Sequence, residues 1–195
     1  MKPLQKRNYH ILRFNSRGVG QSTGWSSFTG FNEATDLEAM VRWGLQAVPE
    51  VRSLAVIVSE TFLSSNGLLN SSLQGYSHGS LIASLHPVLP APIKTSHVLI
   101  SYPLGPRGWL TLFHTSTYTS KLKELIHDST ANVLVLFGDR DEFTAGAKYE
   151  AWSKELEHEA TGMGSLNVVK IANATHFWSG RERQKLGQVL EEWLP

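Results

Sequence analysis

The sequence predicts an α/β fold in which a mainly parallel β-sheet is flanked by helices on both faces. Short runs of apolar residues resemble strands, and they alternate with stretches that have apolar residues at every third or fourth position. Strands that are apolar throughout are typical of a sheet that is buried on both faces. Their alternation with amphipathic helices favours parallel strands, because each parallel connection has room for a helix.

The predicted elements follow one another in a regular order. The strand-like runs are HILRF at residues 10–14, SLAVIV at 53–58, HVLISY at 97–102, NVLVLF at 132–137 and NVVKI at 167–171. Helical patterns cover residues 33–48 after a cap at Asn32, a segment from about residue 80, residues 144–159 and residues 181–193. The pattern lapses between residues 103 and 130, where GWLTLFHTSTYTS is either a small cap over a site or a long connection.

The composition predicts a single cytoplasmic domain over residues 1–195. With 18 Lys and Arg against 17 Asp and Glu, the chain has no basic excess that would indicate nucleic acid or an anionic membrane surface. The absence of cysteine excludes disulfides, thiolate zinc sites and a cysteine nucleophile, and it fits a reducing compartment. No apolar run approaches the roughly 20 residues that cross a bilayer, and the first residues lack the apolar core of a signal peptide.

The stretch QGYSHGS contains a Gly-x-Ser-x-Gly turn at residues 75–79. Between a strand and a helix, such a turn holds its serine in a strained conformation that the flanking glycines make sterically possible. The Ser77 hydroxyl would then project above the sheet as a nucleophile. The backbone N–H of His78 would face the oxyanion that develops during attack. The motif alone also occurs by chance in many proteins.

Two further candidates lie in loops that follow buried strands. VLVLFGDRDEF places Asp141 after the strand at 132–137, and VVKIANATHFW places His176 after the strand at 167–171. Active sites of α/β proteins form at the carboxyl ends of such strands. The order Ser, Asp, His is the chain order of one class of triads, in which Ser77 attacks, His176 takes its proton and Asp141 orients the imidazole. Asp139, in the same loop, is the alternative acid.

The segments LRFNSRGVGQSTG, GYSHGS, FGDRDEF and ATHFW resemble successive motifs of the α/β-hydrolase superfamily, and the resemblance covers residues 10–195. It is a likeness to small, nearly lidless serine hydrolases. The resemblance implies that an ester, thioester or amide of a small-molecule substrate is cleaved through an acyl-enzyme, with no metal and no organic cofactor. It also favours Asp141 over Asp139, because the acid of the family follows the glycine, here Gly138, by three positions.

The resemblance further implies that HILRF is the fourth strand of the fold. The family has two edge strands and a third strand before it, and a loop there supplies the second oxyanion donor. None of these is visible in residues 1–9, so we expect an α/β-hydrolase fold that lacks its first strands. The rival interpretation is therefore a catalytically impaired remnant, or a non-catalytic binding module, that keeps the three triad residues.

Residues 58–74 separate the strand SLAVIV from the turn that it should enter directly. Val58 and Ser59 can be encoded GTG-AGT, a common 5′ splice site, and Gln74 can be encoded CAG, a common 3′ end. Our hypothesis is that this segment is an intron retained in frame. A genuine surface insertion is the alternative, although it would interrupt a buried strand immediately before a strained turn.

A dinucleotide-binding loop at residues 18–24, GVGQSTG, is a weaker hypothesis. A nucleotide-binding turn opens directly into a helix at its last glycine, whereas WSSFTG intervenes here. The histidines outside the predicted triad show no spacing typical of a metal site.

Overall fold

The computed structural model describes residues 9–27, 29–58, 77–104, 114–160 and 164–194. Its elements are α1 (Phe31–Ala47), β1 (Ser53–Val56), α2 (His78–Leu85), β2 (Lys94–Ile100), α3 (Thr115–His127), β3 (Asn132–Gly138), α4 (Gly146–Glu159), β4 (Ser165–Ile171) and α5 (Gly180–Trp193). The strands form one four-stranded parallel sheet in the order β1-β2-β3-β4. The predicted α/β class and its parallel sheet are confirmed.

Residues of the central strands β2 and β3 alternate between two apolar clusters, one on each face of the sheet. The first cluster, which includes side chains of α1 to α4, contains Leu99, Val133, Val135 and Phe137. The second, which includes side chains of α5, contains Val98, Ile100, Leu134 and Leu136. Because both faces are covered, every position of these strands after the first residue of each is buried.

The prediction of a strand at residues 10–14 is wrong. This segment forms no strand and no ladder with β1, and its side chains Leu12 and Phe14 are 44% and 41% exposed. Leu12 instead lies against helix α1, where its Cδ2 is 3.3 Å from the position a Cβ would take on Gly44. A strand needs a neighbour to bond its N–H and C=O groups, and an apolar run does not supply one. Among the described residues, β1 pairs only with β2.

The predicted helix at 33–48 is present as α1, but Asn32 does not cap it. The helix begins at Phe31, and the residue before it is Gly30 with a left-handed φ of 71°. A Cβ on Gly30 would lie 2.9 Å from Cγ1 of Ile82 and 3.1 Å from Cε1 of His78. Glycine at this position therefore lets α1 begin in close contact with α2.

Helix α3 was missed because its first turns are rich in Thr and Ser. These residues have weak helix propensity, since their side chains compete for backbone hydrogen bonds or lose rotamer freedom. The buried side chains of α3 nevertheless lie on one face; they are Tyr118, Leu122, Leu125 and Ile126. Part of the region predicted as a cap or connection is thus a packed helix, and residues 105–113 lie outside the described chain. The segment 58–74, for which a retained intron was the hypothesis and a surface insertion the alternative, also lies outside it, apart from Val58.

Strand β2 buries a histidine that titrates far from its usual range. His97 is fully buried, and its Nε2 donates a hydrogen bond to the backbone oxygen of His86 at 2.8 Å. Burial lowers the pKa of His97 to about 4, although the hydrogen bond to His86 opposes that shift. Its Nδ1 has no hydrogen-bond partner among the described residues. Protonation would therefore leave an uncompensated charge in the core.

We expect the free energy of unfolding to fall as the pH falls from about 6.5 towards 4. In this range the unfolded chain protonates His97 and the folded chain does not, so stability falls by up to about 1.4 kcal/mol per pH unit. His97→Gln keeps an N–H donor but cannot titrate, and urea denaturation at pH 7 and pH 5 should show a smaller pH dependence for it. His10→Gln, at an exposed position, should show the same pH dependence of stability as the unmodified chain. Equal pH dependence in all three proteins would contradict this expectation.

Candidate active site

Ser77 has a strained backbone immediately before helix α2. Its φ is 65° and its ψ is −122°, a conformation that residues with a Cβ rarely adopt and that is found where neighbouring structure enforces it. The enforcing contacts come from the end of β2: the N–H of Ser77 bonds to the backbone oxygen of Ile100 at 3.0 Å. Ser80 Oγ bonds to the oxygen and the N–H of the same residue at 2.7 and 2.9 Å. Ser77 is therefore held at the carboxyl end of the sheet.

His176 and Asp141 form a buried pair at the same end of the sheet. Asp141 follows β3, His176 follows β4, and the two strands are neighbours. Nδ1 of His176 lies 2.7 Å from Oδ2 of Asp141, and the two residues are 5% and 7% exposed. The carboxylate accepts the Nδ1 hydrogen, which leaves Nε2 of the imidazole as the nitrogen that can take a proton.

The surroundings of Asp141 favour its charged form. Burial alone would raise its pKa, but the hydrogen bond and the charge of His176 lower it. The backbone N–H groups of Phe143 and Thr144 add hydrogen bonds of 2.8 and 2.9 Å to Oδ1. As a result the pKa of Asp141 lies below its usual range. Burial and the charge of Asp141 in turn raise the pKa of Tyr149, whose hydroxyl lies 3.4 Å from Oδ2.

Asp139, the alternative acid, has a different role in the structure. Its side chain is exposed, and Oδ1 accepts the backbone N–H of Asn173 at 2.7 Å. The imidazole of His176 is bonded to Asp141 instead, through Nδ1. The geometry thus pairs the histidine with the carboxylate that lies three positions after Gly138.

The sequence did not reveal that Glu142 also contacts the histidine loop. Its Oε2 accepts the backbone N–H of His176 at 2.8 Å. A hydrogen bond of 3.0 Å from the N–H of Arg140 to the oxygen of Ala174 joins the same two loops. At Gly138 a Cβ would lie 2.1 Å from that oxygen, so the close approach requires glycine. Nothing in the local sequence of Glu142 pairs it with a loop 34 residues away.

A second anchor joins the histidine loop to the end of β2. Nε1 of Trp178 donates to Oγ of Ser101 at 3.0 Å, and the indole is 3% exposed. Both residues have positive φ, 47° and 48°. Because Ser101 directly follows Ile100, which bonds to Ser77, one strand end supports the serine turn and the histidine loop together.

His78, the predicted oxyanion donor through its N–H, is the first residue of α2 and is 7% exposed. The N-terminus of a helix presents backbone N–H groups that are not used inside the helix. This placement is compatible with the predicted role, which remains a prediction. Gly75 of the motif lies outside the described residues.

The glycine-rich loop at 18–24 closes on itself and on helix α1. The N–H of Gly18 bonds to the oxygen of Thr23 at 3.2 Å. The guanidinium of Arg17 makes two hydrogen bonds of 2.8 Å to the carboxylate of Asp36. This bidentate pair fixes the loop against α1.

Two other features are absent from the described parts of the chain. No group of His, Asp and Glu there is arranged to hold a metal ion. None of the helices described is long and apolar enough to cross a membrane.

Comparison with known proteins identifies the fold. An α/β serine hydrolase homologue from Coxiella burnetii aligns with 99% of this chain, and the aligned part is 73% of the homologue. The TM-score is 0.65 and the sequence identity is 19%. An esterase of Pyrococcus furiosus aligns with 100% of this chain, and the aligned part is 75% of the esterase. The TM-score is 0.60 and the sequence identity is 18%. A serine hydrolase without a lid from Xanthomonas campestris aligns with 94% of this chain, and the aligned part is 66% of the hydrolase. The TM-score is 0.57 and the sequence identity is 21%. No protein-family model and no curated protein matches the chain.

These similarities establish that the chain has the α/β-hydrolase fold, as the resemblance of its motifs implied. Sequence identities of 18%, 19% and 21% show a shared fold.

We expect Glu142→Ala to speed hydrogen exchange at the His176 amide by about fivefold, because that N–H loses its acceptor and a net hydrogen bond contributes about 1 kcal/mol. Exchange can be followed residue by residue by NMR. Glu155→Ala removes an exposed glutamate of α4 and should leave this amide unchanged. Unaltered exchange in Glu142→Ala would mean that the contact does not hold the loop in solution.

Proposed function

We propose that this chain is a serine hydrolase that cleaves an ester, thioester or amide of a small-molecule substrate through an acyl-enzyme. The observation that carries the proposal is the buried hydrogen bond of 2.7 Å between Nδ1 of His176 and Asp141. This pair follows β3 and β4 at the carboxyl end of the sheet, the same end at which Ser77 has its strained backbone. A nucleophile, a base and a group that orients the base are the parts that acyl transfer requires.

In the proposed first step, Oγ of Ser77 attacks the carbonyl carbon of the substrate while Nε2 of His176 takes the hydroxyl proton. Asp141 keeps the imidazole in the tautomer that accepts at Nε2 and stabilises the imidazolium that forms. The backbone N–H of His78 donates to the carbonyl oxygen as it becomes negative. The tetrahedral intermediate then collapses, the bond to the leaving group breaks, and His176 returns the proton to that group.

In the second step, a water molecule gives a proton to Nε2 of His176 and attacks the acyl-Ser77 carbonyl. Collapse of this intermediate releases the acid and returns the proton to Ser77. Each residue therefore ends in its starting state. The same imidazole acts as base and as acid in both steps, so its orientation by Asp141 affects the whole cycle.

The proposal predicts that a fluorophosphonate probe labels the folded chain and that Ser77→Ala abolishes the labelling. The probe phosphonylates an activated serine, so labelling requires both the nucleophile and its base. The extent of labelling is measured by mass spectrometry, with circular dichroism to verify that each sample is folded. A folded chain that does not react would contradict the proposal and favour a non-catalytic member of the fold.

The two aspartates provide a matched pair of variants. Asp141→Asn should lower the second-order labelling rate by about 10³- to 10⁴-fold, because the amide favours the wrong imidazole tautomer. Asp139→Asn should change the rate little, since its amide oxygen still accepts the Asn173 N–H. If the labelling rate fell further in Asp139→Asn than in Asp141→Asn, Asp139 would be the carboxylate that orients the imidazole.

A further inference from the structure

Two exposed aromatic rings border the imidazole of His176. The ring of Phe143 lies 4.6 Å from it and the ring of Phe177 5.7 Å, both measured between centroids and both edge to face. The two phenyl rings lie 6.2 Å apart. They are 54% and 56% exposed, although the imidazole between them is buried. We call Phe143 and Phe177 the aromatic rim.

The aromatic rim differs from an ordinary scatter of exposed apolar residues. Single apolar side chains on a surface are common, but two phenyl rings in contact with each other and with one buried imidazole form a continuous apolar surface. The rings come from different loops, after β3 and after β4. The loops that hold Asp141 and His176 therefore also place the rim beside the imidazole.

The position of the aromatic rim beside His176 indicates which half of a substrate would lie near it. On the proposed function, His176 returns its proton to the leaving group, so that group must lie within about 3 Å of Nε2 during the reaction. The acyl half remains bonded to Ser77. Side chains that border the imidazole are therefore closer to the departing half of the substrate than to its acyl half.

We propose that Phe143 and Phe177 bind the leaving group of the substrate, and that this group is an alcohol or thiol carrying an aromatic or arylalkyl substituent. An aromatic substituent gains apolar burial and edge-to-face contacts with both rings. The carboxylate of Glu142, bonded to the His176 N–H at 2.8 Å, disfavours an anionic leaving group at the same place. This inference rests on the proposed function and adds the class of substrate.

Three esters separate the two halves of the substrate. Ethyl acetate has no aromatic group, 2-phenylethyl acetate carries one on the leaving group, and ethyl 3-phenylpropanoate carries one on the acyl group. The two acetates form the same acetyl-enzyme, so the ratio of their kcat/KM values reports the step in which the leaving group departs. We expect 2-phenylethyl acetate to be preferred over ethyl acetate by about tenfold or more, and Phe143→Ala or Phe177→Ala to lower that ratio by about tenfold.

Other variants test whether the rings act on the leaving group or only on the fold. Trp43→Ala removes a ring of α1 that is 56% exposed, and it should leave the ratio unchanged. Phe143→Leu keeps apolar volume and should restore part of the preference. An equal fall of kcat/KM on all three esters would mean that the rings only hold His176, and it would overturn the inference. A selective loss on ethyl 3-phenylpropanoate would overturn it too, because the rim would then bind the acyl half.

A binding measurement separates this inference from the proposed function. Saturation-transfer NMR with 2-phenylethanol should show binding to the unmodified chain and to Ser77→Ala, and the signal should be lost in Phe143→Ala. If the chain hydrolyses none of the three esters and the probe does not label it, the proposed function fails. Binding that depends on Phe143 would still support an aromatic site at the rim, and the absence of binding would overturn the inference.

Discussion

The hydrogen bonds between the loop after β3 and the loop after β4 are the constraint on which the rest of the site depends. Carboxylates of Asp139, Asp141 and Glu142 accept hydrogen bonds from Asn173 and from the ring and backbone of His176. They fix both the position of the histidine backbone and the rotation of its ring. Since adjacent parallel strands end at the same edge of a sheet, one short loop can make all of these contacts.

The end of β2 has a similar role for Ser77. Ile100 bonds to Ser77 and to Ser80, and the next residue, Ser101, accepts the indole N–H of Trp178. The strained conformation of Ser77 is thus balanced by hydrogen bonds to a central strand. Strain of this kind costs on the order of 1–3 kcal/mol, and it persists only where the surrounding structure is over-determined.

The sequence predicted the sheet well because residues 98–100 of β2 and 133–137 of β3 are apolar on both faces, a pattern that few other structures require. It predicted a strand at residues 10–14 incorrectly, because apolar character does not reveal whether a neighbouring strand exists. The motif spacing identified Asp141, which hydrogen-bonds to His176 in the structure. It did not identify Glu142, because a hydrogen bond between loops 34 residues apart has no local signature. Contacts of that kind depend on how the strands are arranged, and they become visible only in three dimensions.

The order of the strands has a consequence for biosynthesis. In this sheet the spatial order equals the chain order, so each new strand pairs with one that has already left the ribosome. A growing chain can extend the sheet one βα unit at a time, without waiting for a distant partner. The loop that carries His176 follows the last strand, and Trp178 and α5 pack against the sheet after it. Ser77 and Asp141 are therefore synthesised before His176, and the imidazole joins them only after β4 has been made.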